Sequence, residues 1–111
     1  MRGKFSDAFR GIFLGAADTG IRIQYVLALL AVIAGFILRL DLLEWAVVSV
    51  CIGSVVASEI LNTCVERICD LYTDKYDEKV RYIKDLAAGA VLAASIAALA
   101  AAVLILLRRL I

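Results

Sequence analysis

The chain has 111 residues, 64% apolar and 21% charged, with a mean hydropathy of +0.95, no proline and no histidine. That much apolar surface has to face something other than water, which excludes an ordinary water-soluble domain. The missing histidine excludes imidazole acid-base chemistry and His-ligated zinc, and a net charge of +1 argues against a nucleic-acid partner.

The first predicted element is an amphipathic surface helix over about 4–17. Phe5, Phe9, Ile12 and Phe13 recur at helical spacing opposite Asp7 and Arg10, so the segment is expected to lie on the membrane surface. Met1-Arg2-Gly3-Lys4 begins like a signal peptide, but Asp7, Arg10 and Asp18 interrupt any apolar core, so the segment is expected to be retained. Three apolar runs follow, giving predicted spans over about 21–38, 45–62 and 86–107, each long enough for a bilayer-crossing helix. The expected fold is therefore an all-α, multi-pass membrane protein of one domain, with a charged loop over about 70–85.

Nine of the twelve basic residues (Arg2, Lys4, Arg10, Arg22, Arg67, Lys75, Lys79, Arg81 and Lys84) precede the first span or lie between the second and third. The positive-inside rule puts those segments, and the N-terminus, in the cytoplasm. The turn Arg39 to Glu44 and the tail with Arg108 and Arg109 then fall outside, the tail as a mild exception. The third span carries Ala87, Ala90, Ala94, Ala97 and Ala101 at helical spacing. Small residues let helices approach closely in lipid, so self-association is expected. Cys51, Cys64 and Cys69 lack C-x-x-C spacing and read as small apolar side chains.

The chemistry concentrates at the end of the second span, in Glu59-Ile60-Leu61-Asn62-Thr63-Cys64-Val65-Glu66-Arg67-Ile68-Cys69-Asp70. With Glu59 at zero, Asn62 falls near about −60°, Glu66 near about −20° and Asp70 near about +20°, making one polar stripe. An ionisable residue inside a span is a functional candidate by default, although pairing with a neighbouring helix is the structural alternative. Carboxylates and an amide at a lipid–water boundary suit Mg²⁺ held together with substrate phosphates, and a carboxylate in low dielectric can serve as a base. That combination fits nucleotide-dependent phosphoryl transfer. Tyr76 is placed to face a nucleotide, and Lys84 and Asp85 to offer a cation and an acceptor to its phosphates, although such a charged stretch is often only a solvated linker. There is no Walker A or kinase glycine-rich loop.

The pattern E-x-x-N-[ST]-x-x-E-x-x-x-D from Glu59 to Asp70, followed by Tyr76 and by Lys84-Asp85-Leu86-Ala87-Ala88-Gly89-Ala90-Val91-Leu92, resembles the small prokaryotic diacylglycerol kinases, which include undecaprenol kinases. The resemblance implies a homotrimer of three-span subunits in the bacterial cell membrane, with active sites shared between neighbours. It also implies that ATP and Mg²⁺ are used to phosphorylate a lipid hydroxyl at the inner leaflet. Position by position, Glu59 matches the general base and Asn62 its supporting amide. Glu66 and Asp18 match the carboxylates for metal and ATP, while Lys84, Asp85, Lys75, Tyr76 and Asp77 match nucleotide contacts. Arg22 and Gln24 match positions lining the lipid site, and Asp70 supports the stripe. This chain departs by carrying Asp18 where the family usually has Glu, within an altered N-terminal pattern. Asp70-Leu71-Tyr72-Thr73 and the residues after Lys84 look more like the undecaprenol kinase branch, with diacylglycerol as the alternative acceptor. A catalytically inactive relative serving as a small oligomeric scaffold or channel is the competing expectation.

Overall fold

Four helices account for almost the whole chain: α1 (Arg2–Gly15), α2 (Thr19–Leu38), α3 (Leu42–Tyr72) and α4 (Glu78–Leu110). They are seen in a computed structural model that describes residues 2–111. Met1 and the Arg2 side chain, which begin the basic N-terminal segment, lie outside the described residues. Without proline, no interior backbone N–H is lost. In lipid, moreover, a helix is the one local structure that satisfies every backbone group within a single segment. The helices α2, α3 and α4 are each long and apolar enough to cross a membrane.

Short connections force consecutive helices to run antiparallel. The N-terminus of α2, the C-terminus of α3 and the N-terminus of α4 therefore share one end of the bundle, the Asp18 end. The opposite termini share the other, the Arg39 end. Helix α3 packs most extensively on α4 and less on α2. At about 1.5 Å per residue, α3 and α4 are each roughly 45–50 Å long, well beyond the roughly 30 Å of hydrocarbon in a bilayer. Both outrun the apolar stretches inside them, and the molecule measures 52 Å along its longest axis.

Caps rather than apolarity set the helix ends. Asp18 caps α2, its Oδ1 accepting from the N–H groups of Gly20 and Ile21 at 3.1 and 3.3 Å. Asp41 and Glu44 form a reciprocal capping box at the start of α3. Asp77 caps α4 through Lys79 and Val80. The charged stretch expected as a loop over 70–85 is consequently non-helical only over residues 73–77, with α3 and α4 extended on either side. At the other end Arg39 adopts a left-handed conformation (φ 57°, ψ 55°) that closes α2, with Leu40 N–H reaching back to the Gly35 carbonyl.

Burial within the single chain is slight. Ile21, Gly35, Glu44 and Cys69 are the buried residues among those described. Cys51 is half-buried and Cys64 exposed, so of the three cysteines expected to behave as buried apolar groups only Cys69 does so fully. Phe36 packs on Trp45 with ring centroids 4.9 Å apart. Gly35 allows that approach, since a Cβ there would stand 2.6 Å from the Trp45 ring. The N-terminal helix α1 leaves Phe5, Phe9, Ile12 and Phe13 exposed. Its last turn is tied to α2 by the Tyr25 hydroxyl, which donates to the Ile12 carbonyl at 2.6 Å.

Candidate active site at the Asp18 end of the bundle

The polar stripe on α3 faces the start of α2. Glu59 lies directly against Gly20: a Cβ at position 20 would stand 2.5 Å from Glu59 Oε1. The glycine thus lets an intramembrane carboxylate approach the N-terminus of a helix, where the backbone dipoles favour negative charge. Asp18 and Glu66 both lie within electrostatic reach of Glu59. One turn further along α3, Asn62 Nδ2 donates to Glu66 Oε1 at 3.1 Å, while Asn62 Oδ1 is buried with no hydrogen-bond partner among the described residues. An orphaned buried acceptor is costly unless something donates to it.

Asp18 does two things at once. One oxygen caps α2, and the other accepts from Arg67 Nη2 at 3.3 Å. Arg67 was not singled out by sequence reasoning. At about +80° on the helical wheel it flanks the stripe instead of lying within it, and it fills a variable position of the motif. What could have exposed it is its charge: a basic residue one position after Glu66, at the mouth of a carboxylate cluster.

The remaining sequence-predicted residues spread over the same end of the bundle. Asp70 Oδ1 accepts from Lys84 Nζ at 2.8 Å, joining α3 to α4. That hydrogen bond, more than any other influence, holds the Lys84 ammonium above the usual lysine range. Asp85 pairs with Arg81 one turn away at 3.4 Å. Asp77 is occupied as the cap of α4, Lys75 N–H donates to Thr73 Oγ1, and Tyr76 is exposed. Lys84 and Asp85 are thus on the cluster's side of the molecule but engaged by neighbours, and none of Lys75, Tyr76 and Asp77 is hydrogen-bonded to Glu59 or Glu66.

Arg22 and Gln24 separate. Arg22 sits on the outer face of α2 beside Ile23, Val26 and Leu27. Gln24 turns inward to an apolar groove of about 430 Å³ between the three long helices, with Cys51 and Ser95 on its other walls.

No group of three or more metal-ligating side chains occurs among the described residues. A Mg²⁺ ion does not demand one, because it keeps several waters and takes one or two protein carboxylates together with substrate phosphates. Glu66 and Asp18 fit that requirement in chemistry: both are oxygen donors, Glu66 is exposed, and the Asp18 oxygen not used for capping is held only by a displaceable surface cation.

The geometry lies within a stretch that matches known proteins. Residues 6–106 match the profile of the prokaryotic diacylglycerol kinases. The chain is 36% identical over 88 residues to an undecaprenol kinase of Bacillus subtilis, covering 78% of this chain and 72% of that protein. It is 34% identical over 96 residues to a diacylglycerol kinase of Synechocystis sp., covering 85% of this chain and 55% of that protein, so it spans little more than half of that relative's length. With Glu59, Asn62, Glu66, Asp70 and Lys84 all inside the matched region and gathered at one end of three apolar helices, the chain belongs to the prokaryotic diacylglycerol kinase family.

Proposed function

We propose that this protein is an ATP-dependent lipid kinase that transfers the γ-phosphoryl group to the hydroxyl of undecaprenol or of a diacylglycerol at the cytoplasmic leaflet. The observation that carries the reading is the seat of Glu59: a carboxylate within the second span, against Gly20 at the N-terminus of α2, next to Asp18 and Glu66. Family membership and the names of the two relatives support it.

In this reading Glu59 accepts the proton of the lipid hydroxyl. The lipid oxygen forms a bond to the γ-phosphorus as the bond from that phosphorus to the β-bridging oxygen breaks, and ADP leaves. Asn62 fixes Glu66 through its amide and presents Oδ1 as an acceptor for a donor on the substrate side. Bound on Glu66 and Asp18, Mg²⁺ would supply charge neutralisation for the transferred group. Lys84, Asp85, Lys75, Tyr76 and Asp77 form the nucleotide side of the site, and Arg22 and Gln24 the lipid side. Most of the rate enhancement comes from positioning and electrostatics, because phosphoryl transfer asks for little covalent chemistry from the protein. The N-terminal helix lies on the cytoplasmic surface, with its exposed phenylalanines in lipid. Three copies assemble through the alanine-rich third span, so that neighbours complete each other's sites.

The test is transfer of ³²P from γ-labelled ATP in mixed micelles with Mg²⁺, offering undecaprenol and a diacylglycerol separately. Labelled lipid from either is expected, and Glu59→Gln should lower turnover by about 10²–10⁴-fold, the range for loss of a general base. The variant should keep the wild-type elution profile and nucleotide binding. Full activity in Glu59→Gln would remove Glu59 as the base, and no product from either lipid would favour a non-catalytic membrane scaffold.

A further inference from the structure

Arg67 is a charged group in direct contact with the acidic cluster to which the mechanism gives no task. Its side chain is 71% exposed and reaches from α3 to α2, where it pairs with Asp18 and makes no other ion pair among the described residues. Asp18 is already bound by two backbone N–H groups at its other oxygen. The guanidinium is therefore dispensable for capping α2, and it neutralises the one carboxylate that Glu66 would need as a partner. With the arginine in water and the carboxylate partly covered, the pair resembles a surface ion pair on its Arg67 side, and such pairs contribute little to stability.

A nucleoside triphosphate is a better partner. The planar fork of arginine matches phosphate oxygens two at a time, with charge-assisted hydrogen bonds that outnumber its single contact to Asp18. Arg67 also stands one residue from Glu66 and on the face toward α2, so a change of rotamer at Arg67 itself redirects the fork while Asp18 keeps its cap on α2.

We propose that Arg67 is a phosphate-binding residue of the nucleotide site: when ATP binds, its guanidinium passes from Asp18 to the polyphosphate and frees the Asp18 carboxylate. The inference rests on the kinase reading and adds to it a residue outside the recognised motif. Asp18 and Arg67 then act as a pair of exchangeable partners. The same ion pair that restrains the arginine also keeps the acidic cluster from repelling an incoming polyanion.

The test uses the purified full chain in detergent micelles, with a fluorescent ATP analogue titrated in EDTA and again with Mg²⁺, alongside kinase assays. Arg67→Ala is expected to raise the Kd for metal-free nucleotide about tenfold or more, the scale for losing one charge-assisted phosphate contact. The KM for ATP should rise in parallel while the KM for lipid stays put, and Arg67→Lys should restore part of the loss. Asp18→Asn supplies an independent sign: by releasing the guanidinium as well as removing a negative charge it should tighten metal-free binding, and the gain should be smaller in an Arg67→Ala background, where only the charge is removed. Unchanged nucleotide affinity in Arg67→Ala, or weaker metal-free binding in Asp18→Asn, would overturn the assignment. Wild-type protein that phosphorylates lipid while Arg67→Ala matches its Kd and KM would sink the arginine's role alone. Wild-type protein that binds nucleotide through Arg67 but labels no lipid would sink the kinase reading alone.

Discussion

At position 20 the absence of a side chain decides where Glu59 rests. A methyl group there would come within 2.5 Å of the carboxylate oxygen, and that oxygen is the mobile end of a flexible side chain, so the fold can yield and the carboxylate moves. Gly20→Ala is therefore expected to leave the thermal unfolding midpoint near that of the wild type and, with Glu59 as the proposed base, to lower kcat by about 10²-fold, the cost of displacing such a group by an ångström. Initial rates and thermal scans on the same micellar sample check both halves. At this scale the motif residues were legible in the sequence, because an ionisable residue inside an apolar run has few reasons to be there. Gly20 was not legible, since a glycine near a helix start has many. Asp18 and Asp77 were legible as acceptors, but the same carboxylate that suits a metal or a nucleotide also suits a helix cap, and only the folded structure shows both engaged as caps. For Asp18 the two uses are compatible, because capping takes one oxygen and leaves the other.

Helix α1 depends on few attachments. The Ile12 carbonyl belongs to the last turn of that helix, where carbonyls lack intrahelical partners, and Tyr25 supplies the missing donor from α2. Gly15 makes room for it, a Cβ there being 2.8 Å from the Tyr25 hydroxyl. Tyr25→Phe should weaken the attachment by about 1 kcal/mol, the net value of one such bond. Amide exchange across residues 5–15 should then accelerate about fivefold in micelles, with exchange in α3 unchanged. Unaltered exchange in α1 would mean the helix is held by something else. The extents of the long helices show what hydropathy can and cannot reveal. The apolar runs 45–62 and 86–107 mark which residues suit lipid, whereas Leu42–Tyr72 and Glu78–Leu110 are bounded by Asp41 and Asp77, whose capping depends on local polar chemistry. The polar stripe is therefore carried on rigid helix that continues well past the apolar run, instead of on a loop.

Across the whole molecule, the end opposite the site is closed by charge. Arg109 donates to the Leu38 and Arg39 carbonyls at 2.7 and 2.8 Å and pairs with Glu44, while Arg108 faces Asp41 at 3.4 Å and Glu44 at 3.8 Å. The basic tail that stood as an exception to the charge rule is thus locally neutralised, a fact that needs two residues far apart in sequence to be seen side by side. Glu44, one residue before the second apolar run, is only 3% exposed. Its hydrogen bond from Arg109, followed by that from the Asp41 N–H, holds its carboxyl below the usual carboxylate range. A carboxyl with a lowered folded-state value stabilises the fold at pH above its unfolded value, and that stabilisation is lost as pH falls through the lowered value. Glu44→Gln should accordingly unfold at a lower temperature than wild type at neutral pH, and the gap should close on acidification below the carboxylate range. A gap that stayed constant with pH would locate the effect outside this ion cluster.

The Arg109 contacts span 65, 70 and 71 residues of chain, whereas α2 and α3 are joined by three residues and can pair as soon as both exist. Loop closure over such a distance comes late, after local pairings have formed. Both hairpins, α2–α3 and α3–α4, can therefore pair near their short connections first, with Glu44 lacking its guanidinium until the third span has zipped to its C-terminal end. Until then the Asp18 end can already hold Glu59 against Gly20, so that carboxylate is seated before the bundle is latched at its far end.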